Sequence, residues 1–164
     1  MEMNFCMHCG AKLHPKFLEH EGDVPFCDVC GEYRFPVFNT AVSMILEDAS
    51  HSKVILIRQY GRPFYILCAG YVSKGESAEE AAVRELREEL GLTCREIHFN
   101  ESRYFAPSNT LMLNFAVTVA EDEAQPNWEI DAWRWFTRAE ARQSIKPNSL
   151  AASFLNDYLD RQEA

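Results

Sequence analysis

The chain has 164 residues, of which 47% are apolar, which is enough for one domain with a hydrophobic core and a small appendage. Its formal net charge of −9 argues against a broad basic face for nucleic acid, and a small anionic substrate would need metal ions as intermediaries. The first ten residues, MEMNFCMHCG, lack a basic stretch followed by an apolar run, and the longest aliphatic run, VILI at 54–57, is too short to cross a bilayer. We therefore expect a cytoplasmic protein without a membrane partner.

The chain opens with two similar segments, FCMHCG at 5–10 and FCDVCG at 26–31. They supply two C-x2-C pairs with the spacing of a tetrahedral structural Zn²⁺ site, formed by Cys6, Cys9, Cys27 and Cys30. A redox C-x2-C would not need the second pair, and four Cys ligands leave no open coordination position. Each pair ends in a glycine whose positive φ would form a tight turn and direct backbone N–H groups at the thiolates. We predict a zinc ribbon over residues 1–35.

The remaining two cysteines, Cys68 and Cys94, stand alone in the sequence. In a reducing compartment they are not expected to form a disulfide. A small buried side chain is the interpretation that we favour for each.

From residue 36 the pattern becomes one of strands and helices. We predict strands in segments of apolar and β-branched residues, namely VFNTAVSMIL (37–46), SKVILIRQ (52–59), RPFYILCAGYV (62–72), IHFNESRYFA (97–106), LMLNFAVTVA (111–120) and AWRWF (132–136). A helix is predicted from Ser77, which forms a capping box with Glu80, to Leu90, with Gly91 as its stop. A second, amphipathic helix is predicted over SLAASFLNDYLDR (149–161).

The first helix gathers Glu85, Glu88 and Glu89 on the face opposite to its apolar residues. A like-charge pair four residues apart, such as Glu85 and Glu89, destabilises an isolated helix, so another interaction must offset the repulsion. One interpretation is a solvated surface helix, in which Arg84 pairs with Glu88 and Glu80. The other is a site for Mg²⁺ or Mn²⁺, which prefer oxygen ligands and can bridge the oxygens of a diphosphate.

The segment from Gly70 to Leu92 resembles the signature of the Nudix hydrolases, which is Gly, five residues, Glu, seven residues, then Arg-Glu-apolar-x-Glu-Glu-x-Gly-apolar. All its defined positions match, at Gly70, Glu76, Arg84, Glu85, Leu86, Glu88, Glu89, Gly91 and Leu92. The probability that all these positions match by chance is very low, so the interpretation as a solvated surface helix is disfavoured. The resemblance implies an α+β fold, a Nudix α/β/α sandwich with a mixed sheet over residues 36–164, preceded by the small zinc ribbon.

The resemblance also implies roles for individual residues. It assigns the Mg²⁺ or Mn²⁺ ligands to the Ala69 carbonyl and to Glu85, Glu88, Glu89 and the downstream Glu129. Arg84 would orient a neighbouring carboxylate, and Glu76 would support the loop. A carboxylate must also accept the proton of the attacking water, and we favour Glu89 as this base, although Nudix subfamilies place the base differently.

A zinc ribbon followed directly by a Nudix domain is similar to the bacterial NADH pyrophosphatases, and the likeness extends over essentially the whole chain. The resemblance implies substrate contacts by the aromatic rings of Phe35 and Tyr71, which could stack on a nicotinamide or adenine ring, and by the backbone of Ala151. Taken alone, either ring is more often part of a core, and Glu129 is an ordinary surface residue.

One stretch departs from that family. Its NADH-specific motif, Ser-Gln-Pro-Trp-Pro-Phe-Pro-x-Ser, is replaced here by SRYFAPSNT at 102–110. Ser102, Phe105 and Thr110 are the recognisable positions. We keep Arg103, Phe105 and Thr110 as candidate substrate contacts, while the altered motif leaves the substrate less well defined than the chemistry.

The predicted function is metal-dependent hydrolysis of the diphosphate bridge of NADH- or NAD-like dinucleotides to mononucleotides. The first alternative is a pyrophosphatase for ADP-ribose or another nucleoside diphosphate linked to a small group. The second is a Nudix-fold ligand sensor or binding module, but a degenerate sensor should have lost some of the carboxylates. A ribbon that binds nucleic acid should be basic, whereas residues 1–35 hold more acidic than basic side chains. We expect a small nucleotide as the partner of the protein. The sequence leaves open whether the protein forms a homodimer.

Overall fold

The computed structural model of the protein describes residues 3–163. The chain divides into two compact units, with the division between Phe38 and Asn39. The boundary predicted from the sequence lies between residues 35 and 36, close to this division.

The first unit is a small three-stranded antiparallel sheet. Its strands, in the spatial order β1-β2-β3, are β1 (His14–Leu18), β2 (Gly22–Cys27) and β3 (Glu32–Tyr33). Phe26 packs edge-on against Tyr33 with ring centroids 4.9 Å apart, and the Lys16 ammonium lies 3.7 Å from the Phe26 ring centroid. The buried cluster centres on only Cys6, Leu13 and Cys27. Because so small a core stabilises little, this unit needs an additional constraint such as a metal.

The second unit is built on one mixed six-stranded sheet. Its strands are β4 (Asn39–Glu47), β5 (Lys53–Gln59), β6 (Cys68–Tyr71), β7 (Cys94–Phe105), β8 (Thr110–Val119) and β9 (Ile130–Thr137). The order is β7-β8-β4-β5-β9, and β6 pairs with part of β4. The β4–β8 pair is parallel and the other pairs are antiparallel.

Three α-helices accompany this sheet, α1 (Ala78–Leu90), α2 (Arg138–Ser144) and α3 (Leu150–Glu163). The capping box predicted for α1 is confirmed, because the Ser77 side chain accepts from the Glu80 N–H and the Glu80 carboxylate accepts from the Ser77 N–H. Gly91 ends the helix with a φ of 65°. Both ends of the carboxylate-bearing helix are therefore fixed by local sequence.

The sheet is covered on both faces, as alternation along β4 demonstrates. Met44 and Leu46 belong to the buried cluster that includes Leu86 of α1. Ile45, between them, belongs to a second cluster that includes Phe154 of α3. Since neighbouring strand residues point to opposite faces, helices lie on both sides of the sheet. The predicted sandwich is confirmed.

Two local predictions differ from the structure. The strand expected over residues 62–72 is regular only from Cys68, and the preceding part makes two isolated bridges, one between Ile66 and Ile57 and one between Tyr65 and Ile145. Pro63 contributes to this difference because it lacks an N–H for a ladder. Helix α2 was not predicted, although Thr137 and Glu140 form a capping box at its start. Across residues 3–163, no helix combines the length and apolar character that a membrane span requires.

Candidate active site and zinc site

The three helical carboxylates of the Nudix signature, Glu85, Glu88 and Glu89, line one cavity of about 560 Å³, and Glu76 of the signature is not among its lining residues. It is lined by eight of the predicted site residues, Ala69, Tyr71, Arg84, Glu85, Glu88, Glu89, Thr110 and Glu129. Strand β6 brings Ala69 and Tyr71 to the cavity, and α1 brings the three helical carboxylates. The volume is typical of a site for a small-molecule ligand.

Gly70 allows β6 and α1 to approach each other. A Cβ added to Gly70 would lie 2.0 Å from Cδ and 2.2 Å from Oε1 of Glu85. No heavy atom can occupy that space while Glu85 keeps its position. Gly70, the first glycine of the signature, must therefore lack a side chain if Glu85 is to keep its position.

Arg84 organises the carboxylates around it. Its Nε donates to Oε2 of Glu76 at 3.0 Å, and its Nη2 donates to Oε1 at 2.7 Å, which is a bidentate pair. Its Nη1 donates to Glu85 at 2.8 Å and to Glu88 at 3.2 Å. Glu76 also accepts from the Ser73 N–H at 2.5 Å, and these bonds lower the pKa of its carboxyl to about 2, with Arg84 as the main cause.

Glu89 is the most deeply placed carboxylate of the group, with a relative exposure of 6%. Burial raises its pKa to about 7, a hydrogen bond from the Cys68 thiol to Oε2 at 3.1 Å opposes that rise, and the charges of Glu85 and Glu129 add to it. The arrangement concentrates negative charge that a cation would neutralise. Because the atoms that could coordinate a metal here are all oxygens, the site fits Mg²⁺ or Mn²⁺.

Tyr60 also lines the cavity, although the sequence did not identify it as a site residue. Its hydroxyl donates to Oε2 of Glu129, and this hydrogen bond is the main reason that the pKa of Tyr60 rises to about 12. Tyr60 directly follows β5, and Glu129 directly precedes β9, the strand paired with β5. The signal that could have identified Tyr60 is this pairing, but it is visible only once the register of the two strands is known.

Two of the predicted substrate contacts lie in the cavity. Tyr71 is an exposed residue, with a relative exposure of 60%, while its carbonyl accepts from Arg84 at 3.0 Å. Thr110 is buried, and its hydroxyl donates to the Ser108 carbonyl at 3.0 Å. Tyr71 is therefore available to a ligand through its ring.

Three others lie elsewhere in the second unit. The Arg103 guanidinium is held by Asp157, by Glu101 at 3.3 Å and by the Ser153 hydroxyl at 2.5 Å. Phe105 borders a separate cavity of about 440 Å³ at the start of α3. Ala151 is half-buried against the second core cluster. The lining of the carboxylate cavity includes none of these three residues, Arg103, Phe105 and Ala151.

Phe35, the remaining predicted contact, belongs to the first unit, where its ring is exposed. Phe35 is not among the residues of the small core of that unit, which centres on two cysteines and Leu13. Its part in binding a substrate stays a prediction.

The four paired cysteines of the first unit converge. The Sγ atoms of Cys6, Cys9, Cys27 and Cys30 all lie within 4.8 Å of one another. Four sulfur donors at this separation fit a tetrahedral zinc ion. A hydrogen bond from Arg34 Nε to the Cys6 sulfur at 3.2 Å is the main cause that lowers the pKa of Cys6 to about 5.

The backbone around the cysteines agrees with the prediction only in part. Gly10 and Gly31 have the predicted positive φ, at 75° and 70°, but their N–H groups donate to the carbonyls of Cys6 and Cys27. A backbone donor to sulfur comes instead from the Cys30 N–H, 3.4 Å from the Cys27 sulfur. Hydrogen bonding with Cys9, followed by burial, raises the pKa of Cys30 to about 12, so a bound cation is needed to hold four thiolates.

The fold and the carboxylate signature define a class of protein. Residues 37–158 match the family model described as NUDIX domain. The chain belongs to the Nudix family.

Two named relatives show how far the likeness extends. The chain is 30% identical over 161 residues to the NAD-capped RNA hydrolase NudC of Pseudomonas aeruginosa PAO1, covering 96% of this chain and 56% of the relative. It is 34% identical over 121 residues to the protein of the same name from Mycobacterium tuberculosis H37Rv, covering 71% of this chain and 38% of the relative. The chain thus spans about half the length of these relatives or less.

Solved structures support the fold. A Nudix hydrolase from Nitrosomonas europaea has a TM-score of 0.67 and 21% identity, with 98% of this chain and 93% of that chain covered. The Nudix domain of Shewanella oneidensis NrtR, solved with ADP ribose, has a TM-score of 0.62 and 18% identity, with 79% and 89% covered. At these identities the likeness establishes the architecture alone.

Proposed function

We propose that the protein hydrolyses the diphosphate bridge of NADH, NAD or a similar dinucleotide to two mononucleotides. The observation that carries the proposal is the convergence of Glu85, Glu88, Glu89 and Glu129 on one cavity. When bound by these oxygens and the Ala69 carbonyl, Mg²⁺ or Mn²⁺ supplies positive charge to the diphosphate oxygens and to the attacking water. Such neutralisation is the main requirement of phosphoryl-group hydrolysis.

The reaction is a displacement at phosphorus. The water oxygen forms a bond to one phosphorus while the bridging P–O bond breaks, and its electron pair leaves with the other phosphate. Glu89 is the proposed acceptor of the water's proton, since it is the least exposed of the cavity carboxylates. The Cys68 thiol donates to its Oε2, which leaves Oε1 to accept that proton.

Arg84 is proposed to act by orientation. Its guanidinium is fixed by the bidentate pair with Glu76, and from that position it donates to both Glu85 and Glu88. Since its Nε and both of its terminal nitrogens are already engaged within the protein, Arg84 is better placed to align carboxylates than to bind substrate.

The choice of a dinucleotide is supported by the ring of Tyr71 in the cavity and by the names of the relatives. Those names add NAD-capped RNA as a second substrate form, with the same diphosphate bridge at its end. The exposed Tyr71 ring could stack on either base of the dinucleotide. The alternative substrate, ADP-ribose, is the molecule bound in the Shewanella oneidensis structure, but the likeness of this chain to that domain extends to the fold alone.

A substrate panel tests the proposal. Wild-type protein would be incubated with NADH, NAD, NAD-capped RNA, ADP-ribose, diadenosine polyphosphates and nucleotide sugars, each with Mg²⁺ or Mn²⁺, and the released mononucleotides quantified. We expect NADH or NAD to give AMP and NMNH or NMN. If kcat/KM for ADP-ribose or a nucleotide sugar exceeds that for NADH by more than about tenfold, about 1.4 kcal/mol in transition-state binding, the alternative replaces this proposal.

The first unit is proposed to have a separate, structural part. Its four cysteines would hold one Zn²⁺ with no open position, so it would take no part in the hydrolysis. Measurement of the zinc content of the purified protein tests this assignment.

A further inference from the structure

Tyr60 has a backbone conformation that is unfavourable for its residue type. Among residues 3–163, the non-glycine residues with positive φ are His20, His51, Tyr60, Asn109 and Asn148. Asn and His are enriched in this region of φ, whereas a bulky aromatic residue is an outlier. When such an outlier lies at a candidate active site, it indicates a function for the side chain.

The Tyr60 side chain makes one defined polar contact, the donation of its hydroxyl to Oε2 of Glu129. The chain after Tyr60 is fixed to the same strand, because the Gly61 N–H donates to Oδ2 of Asp131 at 2.6 Å. The pairing of β5 with β9 thus brings both contacts to one end of the sheet. Tyr60 and Glu129 both line the carboxylate cavity.

Glu129 needs a donor in this position because it approaches other carboxylates. Its charge acts on Glu89, and the charges of Glu85 and Glu89 act on Tyr60. Arg84 donates to Glu76, Glu85 and Glu88, whereas the hydrogen bond to the Glu129 carboxylate among the described residues comes from Tyr60. Without a donor, repulsion would favour rotation of the Glu129 side chain toward solvent.

We propose that Tyr60 is a positioning residue, whose hydroxyl holds the Glu129 carboxylate in the cavity in an orientation suited to a divalent cation. This inference rests on the proposed function and extends it to a residue outside the Nudix signature. Tyr60 would act through Glu129, as the outer partners of metal ligands do in other sites. Its unfavourable backbone conformation is then a consequence of placing the hydroxyl beside that carboxylate.

Tyr60→Phe tests this role because it removes the hydroxyl and keeps the ring. The zinc-replete protein would be titrated with Mn²⁺ in the absence of substrate, with free Mn²⁺ measured by electron paramagnetic resonance. We expect Mn²⁺ to bind about tenfold more weakly, with an unchanged unfolding midpoint. Tyr33→Phe is a matched control, since it also removes one hydroxyl, which donates to the Phe17 carbonyl at 3.0 Å. The control should bind Mn²⁺ as the wild type does.

A double-mutant cycle with Glu129→Gln separates positioning from a general structural effect. If Tyr60 acts through Glu129, then Tyr60→Phe should cause no further loss of Mn²⁺ affinity in the Glu129→Gln background. An affinity of Tyr60→Phe within about twofold of wild type, or an equal loss in both backgrounds, would overturn the inference. Absence of Mn²⁺ binding by the wild type would overturn it too.

The proposed function can fail independently of this inference. A wild type that binds Mn²⁺ but cleaves none of the panel substrates would refute the hydrolysis, while the Mn²⁺ titrations would still decide the role of Tyr60. Conversely, hydrolysis of NADH by the wild type with an unaltered Mn²⁺ affinity of Tyr60→Phe would refute the role of Tyr60 alone.

Discussion

Gly70 and Glu85 are so close that a Cβ on the glycine would lie 2.0 Å from Cδ of the carboxylate. Gly70 lies in β6, and Glu85 lies in the middle of α1. The Glu85 carboxylate therefore occupies the space that a side chain at position 70 would take. The contacting atoms of Glu85 are the end of a flexible side chain, so they can move when the glycine is replaced.

Gly70→Ala should therefore impair metal binding more than stability. The new methyl group would displace the Glu85 carboxylate, and Mn²⁺ affinity should fall by about tenfold or more. The free energy of unfolding should fall by about 1–2 kcal/mol, because a flexible side chain moves instead of the backbone. Mn²⁺ titration and denaturant unfolding measure the two effects. In a Glu85→Ala background the substitution should have almost no further effect on stability, and a large further loss there would contradict the steric explanation.

Glu89→Gln keeps the size of the side chain and removes its charge. If Glu89 is the base or a metal ligand, kcat should fall by about 10²-fold or more while the fold is unchanged. Steady-state hydrolysis of NADH and the far-ultraviolet circular dichroism spectrum provide the measurements. Glu79→Gln, an exposed position in the first turn of the same helix, is the control. Turnover near that of wild type in Glu89→Gln would reject the assignment.

Cys9→Ser should remove zinc from the first unit. Since the four sulfurs form one cluster and the apolar core of this unit is small, loss of one ligand should also loosen residues 3–38. Elemental analysis and amide hydrogen exchange report the two effects. Cys94→Ser, outside the cluster, should keep its zinc. Wild-type protein that contains no zinc after purification without chelator would contradict the assignment.

Local patterns predicted most of the elements because the signals are contained in short segments. The limits of α1 follow from Ser77, Glu80 and Gly91, which are neighbours in the sequence. The Cys pairs likewise need only their spacing, and the cluster they predict is present. Such features require no knowledge of how distant strands pair.

Features that depend on strand pairing were harder to predict. Tyr60 and Glu129 meet because β5 pairs with β9, and neither residue carries a local signal for the contact. Cys68 was expected to be only a small buried side chain, and it is buried, but its thiol also donates to Glu89. The position of Arg103 against α3 likewise depends on the packing of Asp157 and Ser153.

Asp48 provides a prediction of pH-dependent stability. Burial alone would raise its pKa, but hydrogen bonds from Ser50, Ser52 and the Lys53 N–H lower it from 3.8 to about 2. A lowered folded-state pKa means that the carboxylate stabilises the fold above the unfolded pKa of 3.8, and that this stabilisation is lost as the pH falls toward 2. Partial exposure to solvent reduces the contribution to about 1–2 kcal/mol.

Asp48→Asn should thus be less stable than wild type at pH 7 by about 1–2 kcal/mol. The difference should narrow between about pH 4 and pH 2 as Asp48 becomes protonated in the wild type. Urea unfolding at several pH values measures it, with Glu123→Gln in an exposed loop as a control for loss of one charge. A difference that is constant across the whole pH range would show that the charge of Asp48 is not the stabilising feature.

Tyr71 offers the most direct test of base recognition in the cavity. The residue is 60% exposed and its carbonyl already accepts a hydrogen bond from Arg84, so the ring is the part that can contact a ligand. Stacking on an aromatic ring contributes about 1 kcal/mol, so Tyr71→Leu should lower kcat/KM for NADH by about fivefold, mainly through KM. Tyr71→Phe, which keeps a ring, should retain nearly all activity. Equal losses in the two variants would assign the effect to the hydroxyl, and no loss in Tyr71→Leu would remove stacking from the account of substrate binding.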